Sequence, residues 1–192
     1  MAMSREPRQR KIRKPPPPLD AGRLNELALG YVARFATSGG KLGDYLRRKL
    51  RERGWDGSAP PDLGELVGRF ADLGYIDDAN YAKAKAGGLL RRGYGMRRVE
   101  QALHAAGIGE DDRVGARADE QAARLAALVM ARKRRFGPFA QHGAPLDRAL
   151  REKQVAAMLR AGHSLERARL LVDSARVEDA EAWANEGNDD NG

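Results

Sequence analysis

The spacing of hydrophobic positions predicts a chain built from short helices. Apolar residues recur at intervals of three and four in four segments: Leu24, Leu27, Ala28, Tyr31 and Phe35; Leu42, Tyr45, Leu46 and Leu50; Leu63, Leu66, Val67, Phe70 and Leu73; and Met96, Val99, Leu103 and Ala106. Further helices are predicted over residues 117–135, 146–161 and 164–176. No segment alternates long enough to suggest a strand, and no heptad pattern is sustained. The pattern therefore indicates an all-α fold.

The segment from Ile76 to Tyr81 has the sequence of a well-defined helix start. Asp77 is suited to the N-cap position, where its carboxylate accepts from backbone N–H groups that have no helical partner. Asp78 adds negative charge at the positive end of the helix dipole. We interpret the pair as a structural junction and not as a general acid and base.

A similar junction recurs along the chain. Residues 93–99 (GYGMRRV) resemble residues 162–168 (GHSLERA): a glycine ends one helix, an aromatic ring precedes a small cap, and Arg98 or Arg167 follows three residues after the cap. Residues 37–42 carry a looser copy, with Lys41 in the place of the arginine. The caps Ser38, Gly95 and Ser164 are 57 and 69 residues apart, so chance similarity of helix starts is the alternative. A true repeat implies three tandem three-helix units, over residues 20–57, 58–109 and 110–176, in an elongated, curved array.

Both ends of the chain differ in composition from the middle. Residues 1–19 combine six basic side chains with one acid and then a proline run, which predicts a disordered basic arm. Residues 177–192 contain six acids and no basic residue, which predicts a disordered acidic tail.

Charge and cysteine content narrow the class of partner. The 192 residues carry a formal net charge of +8 and a pI near 10.0, which favours a polyanion such as nucleic acid; a basic, solvated surface without a specific ligand is the alternative. Absence of cysteine excludes disulfides and thiolate metal sites, and no apolar run has the length of a membrane span. We expect a cytoplasmic monomer that does not bind membranes.

Residues with catalytic potential are few and dispersed. His104, His142 and His163 lack the spacing of a metal site, and the glycines between 87 and 95 do not form a phosphate-binding loop. The sequence predicts a protein that is not an enzyme and that has neither a cofactor nor a bound metal.

Basic clusters are the candidate binding residues. One cluster surrounds a predicted inter-helix turn and comprises Arg91, Arg92, Tyr94, Arg97 and Arg98; a second comprises Lys41, Arg47, Arg48 and Arg51, and Arg167 occupies the equivalent place in the last junction. Arg97 and Arg98 lie near a helix N-terminus, where positive charge is unfavourable. That position favours a functional role, such as pairing with phosphates or carboxylates of a partner.

The central part of the chain resembles the RecX family. Residues 73–82 (LGYIDDANYA), 90–95 (LRRGYG) and 103–108 are similar to the family signature, in which Asp77, Asp78, Tyr81, Ala82, Gly93 and Gly95 are the structural positions. The likeness is close over about residues 62–108 and looser over about 24–174. The sequence departs from the family at Gly39 and Gly40, where poor helix formers lead us to expect a late or frayed helix start.

The resemblance implies a helical-repeat protein that binds the bacterial recombinase RecA. Such a protein lies along the RecA filament on single-stranded DNA and suppresses ATP hydrolysis and strand exchange in DNA repair and recombination. The alternative is a basic, helix-turn-helix-like module that binds DNA without RecA.

Overall fold

The computed structural model describes residues 16–140 and 147–186, and these residues form helices without a strand. The α-helices are α1 (Ala21–Val32), α2 (Gly39–Arg53), α3 (Leu63–Asp72), α4 (Asp78–Arg91), α5 (Met96–His104), α6 (Glu110–Gly115), α7 (Glu120–Arg134), α8 (Arg148–Arg160), α9 (Leu165–Asp173) and α10 (Val177–Asn185). A short 3₁₀ helix, Gly137–Phe139, follows α7. The predicted all-α fold is confirmed.

Aspartate and serine side chains define most of the helix starts. In seven of the described helices the N-cap side chain accepts a hydrogen bond from a backbone N–H of the first turn; the caps are Asp20, Ser38, Asp62, Asp77, Asp119, Asp147 and Ser164. Each cap satisfies a donor that the helix leaves without a partner. The N-cap side chains therefore determine where these seven helices begin.

Three buried clusters follow one another in chain order. The first joins α1, α2 and α3, the second joins α4 and α5 to Ala116 at the end of α6, and the third joins α7 to α10. Each cluster buries the apolar faces of neighbouring helices, as expected of a tandem array. Within the third cluster α8 packs on α9, and the long helix α7 packs on α4, α9 and α10.

The clusters divide the chain differently from the predicted units. The predicted units place α3 in the second unit, but its Leu66 and Phe70 lie in the first cluster. Helix α6 was assigned to the third unit, but Ala116, which follows it, lies in the second cluster. The prediction placed unit boundaries at loops, whereas the burial of each helix's apolar face determines its neighbours.

The expected disorder of the N-terminal arm is wrong for the part that the structure describes. Leu19 is fully buried; its N–H donates to the Gly54 carbonyl at 3.0 Å, and its own carbonyl accepts from the Asp56 N–H at 2.8 Å. The Arg53 guanidinium also donates to the Pro17 carbonyl at 2.8 Å. A buried leucine and paired backbone hold residues 17–19 to the end of α2, while residues 1–15 lie outside the described residues.

The acidic tail is also ordered over much of its length, contrary to prediction. Helix α10 buries Ala180, Trp183 and Ala184 in the third cluster. Its acids find basic partners on α7: Arg132 pairs with Glu181, and Arg124 lies 3.5 Å from the Glu186 carboxylate. The acids dominate the composition of this segment, but its apolar face determines its structure. Residues 187–192 lie outside the described residues.

The first residues of α2 are well ordered, contrary to the expectation of a late start. The helix begins at Gly39, directly after its cap Ser38. Gly40 is required by a close approach, because a Cβ there would lie 2.6 Å from both the Ala106 carbonyl oxygen and the Gly107 Cα. A tertiary contact thus compensates for the low helix propensity of two glycines.

Candidate partner-binding surface

Two copies of the repeated junction pack directly on each other. The Gly95 N–H donates to the Ala161 carbonyl at 2.9 Å, and the Arg97 N–H donates to the Gly162 carbonyl at 3.1 Å. A Cβ on Gly95 would lie 2.3 Å from the Gly162 carbonyl carbon. The N-terminus of α5 therefore meets the C-terminus of α8 backbone to backbone, and this contact joins the second and third clusters.

The buried side chain of His163 stabilises the same contact from inside the protein. Its side chain is 1% exposed, and its Nε2 donates to the Gly93 carbonyl at 3.0 Å. Burial lowers the pKa of the His163 imidazole, and the hydrogen bond to Gly93 opposes that shift only in part. The ring is thus a neutral hydrogen-bond donor at neutral pH, and its Nε2 is engaged by the Gly93 carbonyl.

Ser38 and Asp78 join the first and second clusters. The Ser38 hydroxyl donates to the Ala106 carbonyl at 2.5 Å, at the end of α5. The Asp78 carboxylate accepts from the Gly39 N–H at 2.9 Å, at the start of α2. Desolvation by burial raises the pKa of Asp78, and the hydrogen bond from Gly39 partly offsets it. Asp77 thus caps its own helix α4, while Asp78 accepts from the first residue of α2, whose N-cap is Ser38.

The arginines of the central turn are exposed, and none has an acidic partner in the described part of the chain. Arg91 and Arg92 end α4, and Arg97 and Arg98 begin α5, so all four flank the turn Gly93–Gly95. Within residues 16–140 and 147–186, none of the four forms an ion pair. We call these four side chains, together with Tyr94, the central basic surface.

Tyr94 contributes an accessible aromatic ring to this surface. The ring is 38% exposed, and the Arg92 guanidinium lies 5.8 Å from its centroid. Lys133 of α7 reaches the same turn and donates to the Arg92 carbonyl at 3.3 Å. Cations from three helices therefore converge on one turn.

The structure also supplies a local reason for tolerating Arg97 and Arg98. The carbonyls at the end of α8 carry the negative end of that helix dipole, and two of them bind the first N–H groups of α5. The charge conflict at the start of α5 is thereby reduced. Placement at a helix N-terminus is consequently weaker evidence for function than the sequence suggested, and the absence of acidic partners is the stronger observation.

The remaining predicted binding residues lie elsewhere. Lys41, Arg47, Arg48 and Arg51 all lie on α2, whose start meets the end of α5, about 10 Å along α5 from Arg97. Lys41 lies with its Nζ 5.5 Å from the Tyr81 ring centroid, Arg47 pairs with Asp44, and Arg48 pairs loosely with Glu52.

Arg167 is part of an internal ion-pair network. Its guanidinium binds Glu120 on α7, which also pairs with Arg124 at 3.2 Å. Hydrogen bonds from Arg167, with help from Arg124, lower the pKa of the Glu120 carboxyl. The sequence prediction that Arg167 binds a partner therefore lacks support from its environment, because equivalent junction positions differ in what surrounds them.

Two kinds of feature, a candidate metal site and a membrane-spanning helix, are absent from the residues that the structure describes. No group of histidine, aspartate and glutamate suited to a metal ion occurs among the residues it describes. Across the same residues, no helix combines the length and the apolar character that crossing a bilayer requires.

Known proteins resemble this chain in sequence and in fold. No protein-family model matches it. It is 30% identical over 159 residues to "Regulatory protein RecX" of Myxococcus xanthus, an alignment that covers 79% of this chain and 84% of that protein. Its fold is similar to the crystal structure of RecX from Lactobacillus salivarius, with a TM-score of 0.62 and 17% identity over 80% of this chain and 95% of that one.

Proposed function

The chain belongs to the RecX family of regulatory proteins, and we propose that it binds the RecA filament on single-stranded DNA and lowers the filament's ATPase and strand-exchange activity. The observation that carries the proposal is the central basic surface. Its four arginines are exposed and lack acidic partners in the described part of the chain. Guanidinium groups of this kind bind carboxylates and phosphates in bidentate fashion.

The tandem arrangement suits a polymeric target. Successive units present cations from α2 and from the central turn at separate points along the chain. A protein with several such contacts can bridge neighbouring protomers of a filament or follow its negatively charged groove. Regulation then follows from differential affinity, because a ligand shifts the filament only toward the state that it binds more tightly.

The ATPase of RecA on single-stranded DNA tests the proposal directly. As the protein is titrated in, we expect inhibition well below one copy per RecA protomer, because one bound molecule would affect several protomers. Replacing both Arg97 and Arg98 with alanine is expected to raise the half-inhibitory concentration at least about tenfold, since each charge-assisted contact contributes about 1.5–3 kcal/mol.

A matched control removes the same charge from a different place. Arg117 and Arg148 are both exposed and lie outside the central basic surface, so their double alanine variant should inhibit like the unmodified protein. If both double variants lose inhibition equally, the effect depends on net charge and not on the central basic surface.

Lack of any ATPase inhibition at near-equal copy number, with DNA binding intact, would overturn the proposal. The protein would then be a DNA-binding module that acts without RecA. Such a module should lose about 0.9 log units of affinity per log unit of salt for each phosphate it neutralises.

A further inference from the structure

A cleft between α1 and α2 combines aromatic and basic side chains. It has a volume of about 590 Å³, within the range of roughly 300–1,000 Å³ that is typical of ligand sites. The central basic surface lies outside it. Its lining comes from both helices and from the residues that follow α1; it includes Tyr31, Arg34, Phe35, Tyr45, Arg48 and Lys49.

Three aromatic rings form one continuous wall of the cleft. The rings of Tyr31 and Tyr45 stack at 4.4 Å between centroids with 20° between their planes. Phe35 leans on Tyr31 at 5.2 Å, and it remains 56% exposed. A phenylalanine this exposed gains little from the protein's own core, so its ring is available to an incoming flat group.

Basic side chains lie beside the aromatic wall of the cleft. The Arg48 guanidinium lies 5.6 Å, and the Lys49 ammonium 5.9 Å, from the Tyr45 ring centroid. Arg34 forms no ion pair within the described residues, and Glu26 is the single acid lining the cleft. Glu52 pairs with Arg48 and Lys49 from outside the cleft. Exposed ion pairs of this kind contribute little to stability, so a phosphate can replace Glu52 as the partner of Arg48 and Lys49.

We propose that this cleft is a binding site for single-stranded DNA, in which a base stacks on Phe35 while the flanking phosphates pair with Arg34, Arg48 and Lys49. Stacking on an aromatic side chain beside a basic track is the general way in which proteins hold single strands without reading sequence. The inference extends the proposed function by a second contact, but it does not depend on RecA. Its test therefore uses the protein alone.

Gly30 provides a way to block the cleft without unfolding the protein. It lies on α1 in the lining, and a Cβ added there meets nothing within 4 Å. Gly30→Glu places a carboxylate and added volume inside the cleft, whereas Gly30→Ala adds only a methyl group. Both substitutions favour the helix, because glycine is a poor helix former.

Fluorescence anisotropy with a labelled oligo(dT) at low salt measures the effect. We expect Gly30→Ala to bind like the unmodified protein and Gly30→Glu to bind at least about tenfold more weakly. Equal affinity of the two variants would overturn the proposal.

Phe35→Leu separates stacking from charge. It keeps an apolar side chain and removes the flat ring, and is expected to weaken oligo(dT) binding about tenfold. Tyr75→Leu is the matched control, because Tyr75 is another exposed aromatic of the first cluster region that does not line the cleft. An abasic oligomer of equal length should bind both variants and the unmodified protein alike, since it has phosphates but nothing to stack.

Three outcomes would each contradict the site. The first is an undiminished affinity of Phe35→Leu for oligo(dT). The second is an equal loss for the abasic oligomer, which would mean that the ring supports the fold and not a base. The third is much tighter binding of oligo(rU), which would assign the cleft to RNA. If RecA inhibition fails while these DNA results hold, only the proposed function is refuted.

Discussion

Replacing Gly95 with alanine tests the joint between the second and third clusters. The new Cβ would lie 2.3 Å from the carbonyl carbon and oxygen of Gly162 and 2.4 Å from the backbone nitrogen of His163. These are backbone atoms, so they cannot swing away as a side chain would. The start of α5 and the end of α8 must therefore separate by about 1 Å to restore ordinary van der Waals contact.

The magnitude follows from the bonds that cross the joint. A shift of that size breaks or stretches the Gly95 and Arg97 hydrogen bonds to the end of α8, at 2.9 and 3.1 Å, and the His163 bond to Gly93 at 3.0 Å. At about 1 kcal/mol for each bond, the expected loss is about 3 kcal/mol in the free energy of unfolding. That is a large fraction of the roughly 5–15 kcal/mol that stabilises a typical domain.

Urea denaturation followed by circular dichroism measures the loss, with Gly109→Ala as the control. Gly95 and Gly109 are both N-cap glycines without a side-chain cap, and they have ordinary negative φ values of −83° and −61°. Alanine at Gly109 meets nothing within 4 Å, so that variant reports only the preference for glycine over alanine at a cap. If Gly95→Ala is no more destabilising than Gly109→Ala, the joint is not the rigid contact described above.

Two further predictions concern buried aromatic side chains. Burial lowers the pKa of His163 below its ordinary value of 6.5; the unfolded chain therefore binds more protons between the two pKa values, and stability should fall as the pH drops from 6.5 toward the folded pKa. His163→Gln, which retains an N–H donor, should reduce this slope in urea titrations at about pH 7.5 and about pH 5.5, and an unchanged slope would refute the burial argument. Trp183→Ala should cost about 3–5 kcal/mol of unfolding free energy in the same assay, whereas a disordered tail would lose nothing.

The sequence was most informative where local side-chain chemistry determines structure. Asp77 and Ser164 cap helices as predicted, because a cap depends on residues within one turn. The helices predicted from three-four spacing are also present, because that spacing places the buried residues of each helix on one face. Helix α10 was missed because its acids dominated the composition, although Ala180, Trp183 and Ala184 were spaced as a helix face.

The candidate site was less predictable, since it depends on pairings distant in sequence. The spacing of Gly93 to Arg98 identified a junction, but it did not show that residues near Gly162 pack on it. Composition alone likewise could not separate Arg167, which binds Glu120 47 residues away, from Arg98, which has no acidic partner among the described residues. The aromatic cleft was missed because Tyr31 and Tyr45 were interpreted only as core positions of two separate helices.

The joints give a physical reason why the central basic surface should need the whole array. Its position depends on the third cluster, because the backbone N–H of Arg97 is held by the carbonyl of Gly162. The α2 cations are in turn positioned by the second cluster, because Ser38 donates to the carbonyl of Ala106. The α2 cations and the central basic surface are therefore each positioned by the following cluster, in both cases through a backbone carbonyl. The spacing between the two groups of cations consequently depends on these contacts to backbone carbonyls and not on the basic side chains themselves.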